Sequence, residues 1–233
     1  MIEGQTGQRA YILASGWACS YKSLPGGTRQ IVDVQIPGDF LGLRSVLFRT
    51  ADHNVVPITP VQASEVGQRD LIAAFSQTNR LATAVLWAAS RDEAMVVEHL
   101  INLGRRDAAE RTAHFLLELA ARLRLVGLGD KTGFACPLSQ NLLADALGLS
   151  AVHINRVLRE LREAGMVTFH KGKVVFDDYD ALVTFMTRWS HSPGSTTPTS
   201  ITTDRCCPDR GSWLSGPLHG NAPVSGIRAS IAS

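Results

Sequence analysis

Leu138-Ser139-Gln140-Asn141-Leu142-Leu143-Ala144-Asp145-Ala146-Leu147-Gly148-Leu149-Ser150-Ala151-Val152-His153-Ile154-Asn155-Arg156-Val157-Leu158-Arg159-Glu160-Leu161 reads as two short helices about a glycine. Ser139 is a helix-capping residue type, and Leu142, Leu143, Ala146 and Leu147 share one apolar face. Gly148 ends that helix. Ser150 starts a second, whose buried stripe is Ile154, Val157, Leu158 and Leu161. Ala144 is small enough for the two helices to cross closely. Two helices joined by a glycine turn form a helix-turn-helix.

Burying that stripe leaves Ala151, Val152, His153, Asn155, Arg156 and Arg159 on or near the outside of the second helix. In this motif the start of the second helix meets base edges in the major groove. Arg156 suits the paired acceptors of guanine, Asn155 the edge of adenine, and Val152 a thymine methyl. Ser139, Gln140 and Ser150 stand at helix N-termini, where donors meet phosphates. Then comes Gly165-Met166-Val167-Thr168-Phe169-His170-Lys171-Gly172-Lys173-Val174-Val175-Phe176, a strand, a turn and a strand. This hairpin is a wing with Lys171 and Lys173 at its tip. Alone, two such lysines read as solvated; behind two helices they read as phosphate contacts.

Upstream, Arg80 to Leu103 runs without proline or glycine, and Gly104 is placed to end it. Leu81, Val85, Ala88, Met95, Val96 and Leu103 recur at three-, four- and seven-residue intervals. A helix that long is not easily covered by one small β domain, so these six residues are expected to meet a second copy. A further helix spans Asp107 to Arg124, with Ala108, Arg111, Thr112, Phe115, Leu116, Leu119 and Leu123 facing inward. A glycine-rich loop follows from Val126 to Gly133.

Residues 9–78 read as short strands punctuated by Ser15-Gly16, Pro25-Gly26-Gly27 and Pro37-Gly38-Asp39, with a β-rich stretch from Val55 to Val66 broken by Pro57 and Pro60. This is the pattern of a roll, sandwich or barrel, followed by a short helix over Asp70 to Ser76. Residues 191–233 are dominated by Ser, Thr, Pro and Gly and read as a disordered tail.

Composition sets the outer limits. The 233 residues carry 23 Lys and Arg against 21 Asp and Glu, so bulk charge does not attract nucleic acid and any DNA-binding surface comes from placement. The chain has no uninterrupted apolar run long enough for a membrane span. Met1-Ile2-Glu3-Gly4-Gln5 is no secretion signal, and a cytoplasmic protein is expected. Cys19, Cys136, Cys206 and Cys207 fit neither a disulfide framework nor a zinc ribbon, so no metal or cofactor is expected. No nucleophile is paired with a base. Asp177, Asp178 and Asp180 read as a solvated run, His99 and His114 as helix-face residues, and an enzyme is not expected.

The order of these parts resembles the Crp/Fnr family of bacterial transcription regulators, which join an effector β-roll to a long dimer helix and a winged helix. The resemblance covers roughly residues 3–188. Its N-terminal landmarks are Glu3-Gly4, Tyr11-Ile12-Leu13 to Gly16, and Pro37-Gly38-Asp39-Phe40-Leu41-Gly42. It implies a homodimer whose recognition helices lie about one DNA turn apart and read a near-palindrome. RNA polymerase is a further partner for such a regulator. Cyclic-nucleotide binders of the family follow the Gly-Asp-Phe-x-Gly turn with a ribose-binding Glu, then an Arg-Ser pair for the phosphate. Leu43, His53 and Asn54 stand there in this chain. A cyclic phosphate loses its guanidinium fork, and cyclic nucleotide is not an expected ligand. His53 reads as a surface loop residue. The iron–sulfur branch needs a cysteine cluster before the roll, and none is present.

The expected fold is α+β. Residues 1–78 form a cyclic-nucleotide-binding-like roll that lacks the family's opening helix and strands and so exposes apolar edges. The dimerisation helix is 79–104, the winged helix-turn-helix 105–190, and the tail 191–233. The expected function is sequence-specific, dimeric binding of double-stranded DNA. The alternative is a small-ligand-binding or protein-interaction module with vestigial DNA binding.

Overall fold

Strand β1 (Arg9–Ser15) ends at Gly16, where the chain turns back with φ 83°, and a Cβ there would lie 2.2 Å from the carbonyl oxygen of Pro60. Glycine alone fits such a turn. Strands β2 (Ala18–Ser23), β3 (Arg29–Gln35) and β4 (Phe40–Leu41) follow, then a short helix α1 (Leu43–Leu47). The Val55–Val66 stretch divides at its prolines into β5 (Asn54–Pro57) and β6 (Val61–Gly67), since proline cannot continue a ladder. β1 pairs antiparallel with β4 and β6, and β2 lies between β3 and β5. The two sheets make the expected roll, with Leu13, Ala18, Leu41 and Val55 in one part of its core and Ala10 and Val46 in another. Helix α1 was not legible in sequence, because five residues are too few for a period.

This computed structural model describes residues 1–6, 9–48, 50–187 and 229–232. Of the tail, 191–228 and 233 lie outside the described residues. Residues 229–232 carry a strand, β10, antiparallel to β6 with Ala229 opposite Ser64. Composition gave no sign of that strand. It lies at the edge of the sheet beside β6.

Helix α2 (Gln68–Gln77) leads to Thr78, whose hydroxyl accepts the Leu81 amide and opens α3 (Asn79–Arg105). At 27 residues α3 is about 40 Å long. Gly104 does not end it. The glycine is helical and the cap is Arg106, because the stop signal comes from Asp107, which starts the next helix. Asp107 accepts the amides of Ala109 and Glu110, and Glu110 returns a carboxylate oxygen to the Asp107 amide. This reciprocal cap contributes about 1 kcal/mol to α4 (Ala108–Leu125).

Helix α4 is buried on nearly every side and not along one stripe. Leu116, Leu117, Leu119 and Leu123 join one core with Trp17, Cys19, Ile31, Val34 and Ile36 of the roll and with Leu143, Ile154, Val157 and Leu182 of the winged helix. It is the common wall of the two halves, which a single helical period cannot reveal. Arg111, expected on the inner stripe, is half-buried and donates to the Leu147 carbonyl.

The C-terminal unit runs β7 (Gly133–Ala135), α5 (Gln140–Leu147), α6 (Ala151–Glu163), β8 (Val167–His170), β9 (Lys173–Phe176) and α7 (Tyr179–Thr187). The wing has a third strand that the sequence reading lacked, since β7 pairs with β9 through Phe134 and Val174. Asp178 caps the start of α7 and Asp177 accepts from Thr168, so two of the three carboxylates in that run hold local structure. Among the described residues no helix is long and apolar enough to cross a membrane, and no cluster of three or more metal-ligating side chains occurs.

Candidate nucleic-acid interface

Ser139 and Ser150 take the N-cap positions of α5 and α6, accepting the amides of Leu142 and His153 at 3.2 Å each. Each hydroxyl keeps its own hydrogen to donate outward. Gly148 ends α5 with φ 64°, and a Cβ there would lie 3.3 Å from Leu103 Cδ2. Ile154, Val157, Leu158 and Leu161 hold α6 to the core. Its opposite face carries Val152, 80% exposed, with Asn155, Arg156 and Arg159 also exposed. Ala151 and His153 differ from the reading of an outward residue. Both are partly covered, and Ala151, the first residue of α6, packs against the core.

The Arg156 guanidinium is held from two sides of its own helix. His153 Nε2 lies 3.0 Å from Nη2, and Glu160 Oε1 lies 3.6 Å from Nε. Glu160 was missed in the sequence, although its i,i+4 spacing from Arg156 was the available signal. At the wing tip Lys171 and Gly172 form a two-residue turn with φ 49° and 71°. Lys171 and Lys173 are exposed there, with Gln140 exposed at the start of α5.

The helix-turn-helix is fixed to the roll. Arg29 Nε lies 2.7 Å from Asp145 Oδ2, and Gln30 Nε2 donates to the Ala146 carbonyl at 3.1 Å. Behind them runs a buried polar chain. Asp39, 4% exposed, accepts Arg122 of α4 at 2.5 Å, Arg91 of α3 at 2.7 Å and the Ile36 amide at 2.9 Å. Arg122 also donates to the Val34 carbonyl and meets Glu118, which binds His99 Nε2 at 2.9 Å. Asn102 bonds His114 and Arg106, and Glu98 lies against His114 and Arg106. His99 and His114 are thus members of a network and not plain helix-face residues. Partners 52 and 83 residues apart leave no sequence signal.

Protonation in this network has a worked sign. Burial alone would lower the His99 pKa, but the Glu118 carboxylate outweighs it and holds the value above the ordinary 6.5. That stabilisation is complete below pH 6.5 and is lost as pH rises through the higher folded value. Burial would raise Glu118, yet His99 and Arg122 hold it at about 2, so its contribution is lost only as pH falls from 4.5 towards 2. Asp92, pushed up to about 6 by burial and the Asp33 charge, works oppositely between pH 3.8 and 6. Above pH 6.5 the His99 effect is the one of these three still changing. Urea unfolding will therefore show greater stability at pH 6.5 than at pH 8.5, and His99→Gln will flatten the difference.

Of the effector-site positions, Leu43 is half-buried in α1 and Asn54 accepts the Glu3 amide. His53 is not an open surface residue; its side chain is 12% exposed and lies 2.6 Å from Asp52. The long helix also divides the six residues expected to face a partner. Val85, Ala88 and Met95 are buried within the protomer, where Val85 packs with Ala10, Val46 and Leu71. Leu81, Val96 and Leu103 remain exposed, alongside Leu86, Val97 and Leu100. Periodicity found the apolar faces but not which one the roll would take.

A β-roll coupled through two helices to a winged helix-turn-helix defines a transcription regulator with an effector-type domain. Residues 1–78 match the cyclic nucleotide-binding domain family and residues 110–185 the Crp-like helix-turn-helix domain. The nitrogen fixation regulation protein FixK of Azorhizobium caulinodans is 30% identical over 185 residues, 77% of this chain and 72% of that protein. The transcriptional activatory protein AadR of Rhodopseudomonas palustris is 30% identical over 77% of this chain and 75% of its own. The structure of FixK2 from Bradyrhizobium japonicum superposes with a TM-score of 0.69 at 27% identity, covering 78% of this chain and 88% of that one. The chain belongs to the Crp/Fnr family and is a DNA-binding transcription regulator of that type.

Proposed function

We propose that the protein acts in the cytoplasm as a homodimer that reads a near-palindromic operator. The observation that carries this reading is the outer face of α6, where Val152, Asn155, Arg156 and Arg159 stand free of the core. Arg156 takes guanine, Asn155 adenine and Val152 a thymine methyl, with Ala151 and His153 completing the turn that enters the groove. Ser139, Gln140, Ser150, Lys171 and Lys173 hold the phosphates. A lysine in the left-handed conformation costs about 1 kcal/mol that glycine would avoid, and Lys171 keeps an ammonium at the wing tip all the same. RNA polymerase is the partner through which bound protein would alter transcription. No catalytic, cyclic-nucleotide-binding or metal-binding role is proposed; the proposed divisions are the roll, 1–78, the dimerisation helix, which extends one residue past the expected 79–104, and the winged helix that follows it.

The test is fluorescence anisotropy on an operator selected from random duplexes. Arg156→Ala will weaken binding by about 1–3 kcal/mol and relax base choice at one position in each half-site. Lys171→Ala will weaken all sequences alike and lower the salt dependence by about one counterion per subunit. Unchanged affinity in Arg156→Ala would favour a ligand-binding or interaction module whose DNA contacts are vestigial.

A further inference from the structure

On an α-helix a side chain meets those three and four residues away. For Arg156 these are Val152, His153, Arg159 and Glu160. Val152 offers no acceptor and Arg159 is a second cation. His153, one turn before, and Glu160, one turn after, are therefore the partners that its own helix can supply. The structure uses both. Arg156 Nη2 donates to His153 Nε2 at 3.0 Å, and Nε lies 3.6 Å from Glu160 Oε1.

The chemistry of these contacts is directional. A guanidinium only donates, so His153 Nε2 is the acceptor and the neutral ring keeps its own hydrogen on Nδ1. Nε and Nη2 share one edge of the planar guanidinium, and Nη1 meets neither partner. Packing does not hold the group, because the Arg156 side chain is 60% exposed. A free arginine loses rotamer freedom when it docks on a base, and a pre-held one loses less. Glu160 is otherwise a liability on this face. A carboxylate near phosphate weakens binding to every sequence alike, so any gain it brings to recognition comes through Arg156.

We propose that His153 and Glu160 are positioning residues of the recognition helix. They hold the Nε–Nη2 edge of Arg156 so that its Nη1–Nη2 end meets O6 and N7 of guanine, and they set how strictly guanine is chosen. Both act through Arg156 and not on a base. The inference rests on the reading of Arg156 as the guanine contact.

Fluorescence anisotropy of the full chain tests this on two duplexes: the operator selected from random sequences, and the same duplex changed at the base pair that Arg156→Ala relaxes. The ratio of the two dissociation constants is what decides. A structural or purely electrostatic role moves both constants together and leaves the ratio alone. His153→Leu will lower the ratio about three- to tenfold, the worth of a hydrogen bond. His153→Gln, whose amide oxygen can accept in place of Nε2, will restore most of it. Glu160→Leu will tighten binding to both duplexes yet lower the ratio about twofold. An unchanged ratio in His153→Leu, or no recovery in His153→Gln, would overturn the proposal. If His153→Leu fails to fold, Glu160→Leu decides, and an unchanged ratio there overturns it. Should Arg156→Ala relax no base pair, the guanine reading falls and this inference with it. Should Arg156→Ala relax one while His153→Leu does not alter the ratio, only this inference falls.

Discussion

Replacing Arg122 by Met lowers the unfolding free energy by about 3–5 kcal/mol, the loss expected when one member of a buried ion pair is removed. The guanidinium is 7% exposed, and its removal strips a donor from the Val34 carbonyl and a counter-charge from Asp39 and Glu118. Burial alone would raise the Asp39 pKa; Arg122, then Arg91, reverse that and hold the carboxyl below its ordinary value. Without Arg122 the Asp39 carboxylate keeps one of its two guanidinium partners. Urea unfolding followed by circular dichroism measures the loss. Adding Asp39→Asn to Arg122→Met will recover part of it, because the stranded charge goes too. A loss under 1 kcal/mol would mean that the network is solvated and does not hold the roll to α4.

In the proposed homodimer, Leu100→Glu will give a monomer and weaken operator binding at least a hundredfold. Leu100 is 71% exposed on the free face of α3, with Val96, Val97 and Leu103 around it. Large apolar patches left exposed on a folded chain mark protein interfaces. Two glutamates brought together across a two-fold axis repel and lose their water. The monomer then loses the gain of about 10²–10⁴ that comes from tethering two half-site contacts. Light scattering will show the change of mass, and anisotropy the loss of affinity. Val85→Ala is the contrast. Its side chain is buried in its own protomer, so it will cost stability and leave the dimer in place. A Leu100→Glu variant that stays dimeric would refute the assignment of this face.

Much of the recognition unit was legible in sequence because its determinants are local. Ser139, Gly148 and Ser150 act on residues within a turn of themselves, and the stripe from Ile154 to Leu161 repeats within one helix. The same holds for the glycine turns of the roll. The misreadings share one cause. Gly104 looked like a stop, but the Asp107–Glu110 cap set the boundary. Ala151 looked outward but is partly packed against the core, and Val85, Ala88 and Met95 looked like a partner face but are buried within the protomer. In each case a second element competed for the same residue.

The sequence by itself determined the order of the parts, the two helices and wing of the recognition unit, and the side chains α6 turns away from the core. These follow from helical and strand periods and from caps whose donors and acceptors are neighbours in the chain. The tertiary structure alone decided that Asp39 is clamped by Arg91 and Arg122, that α4 is the shared wall of both halves, and which face of α3 stays free. Burial and ion pairing between residues more than fifty positions apart depend on how the elements pack, and no local period encodes that.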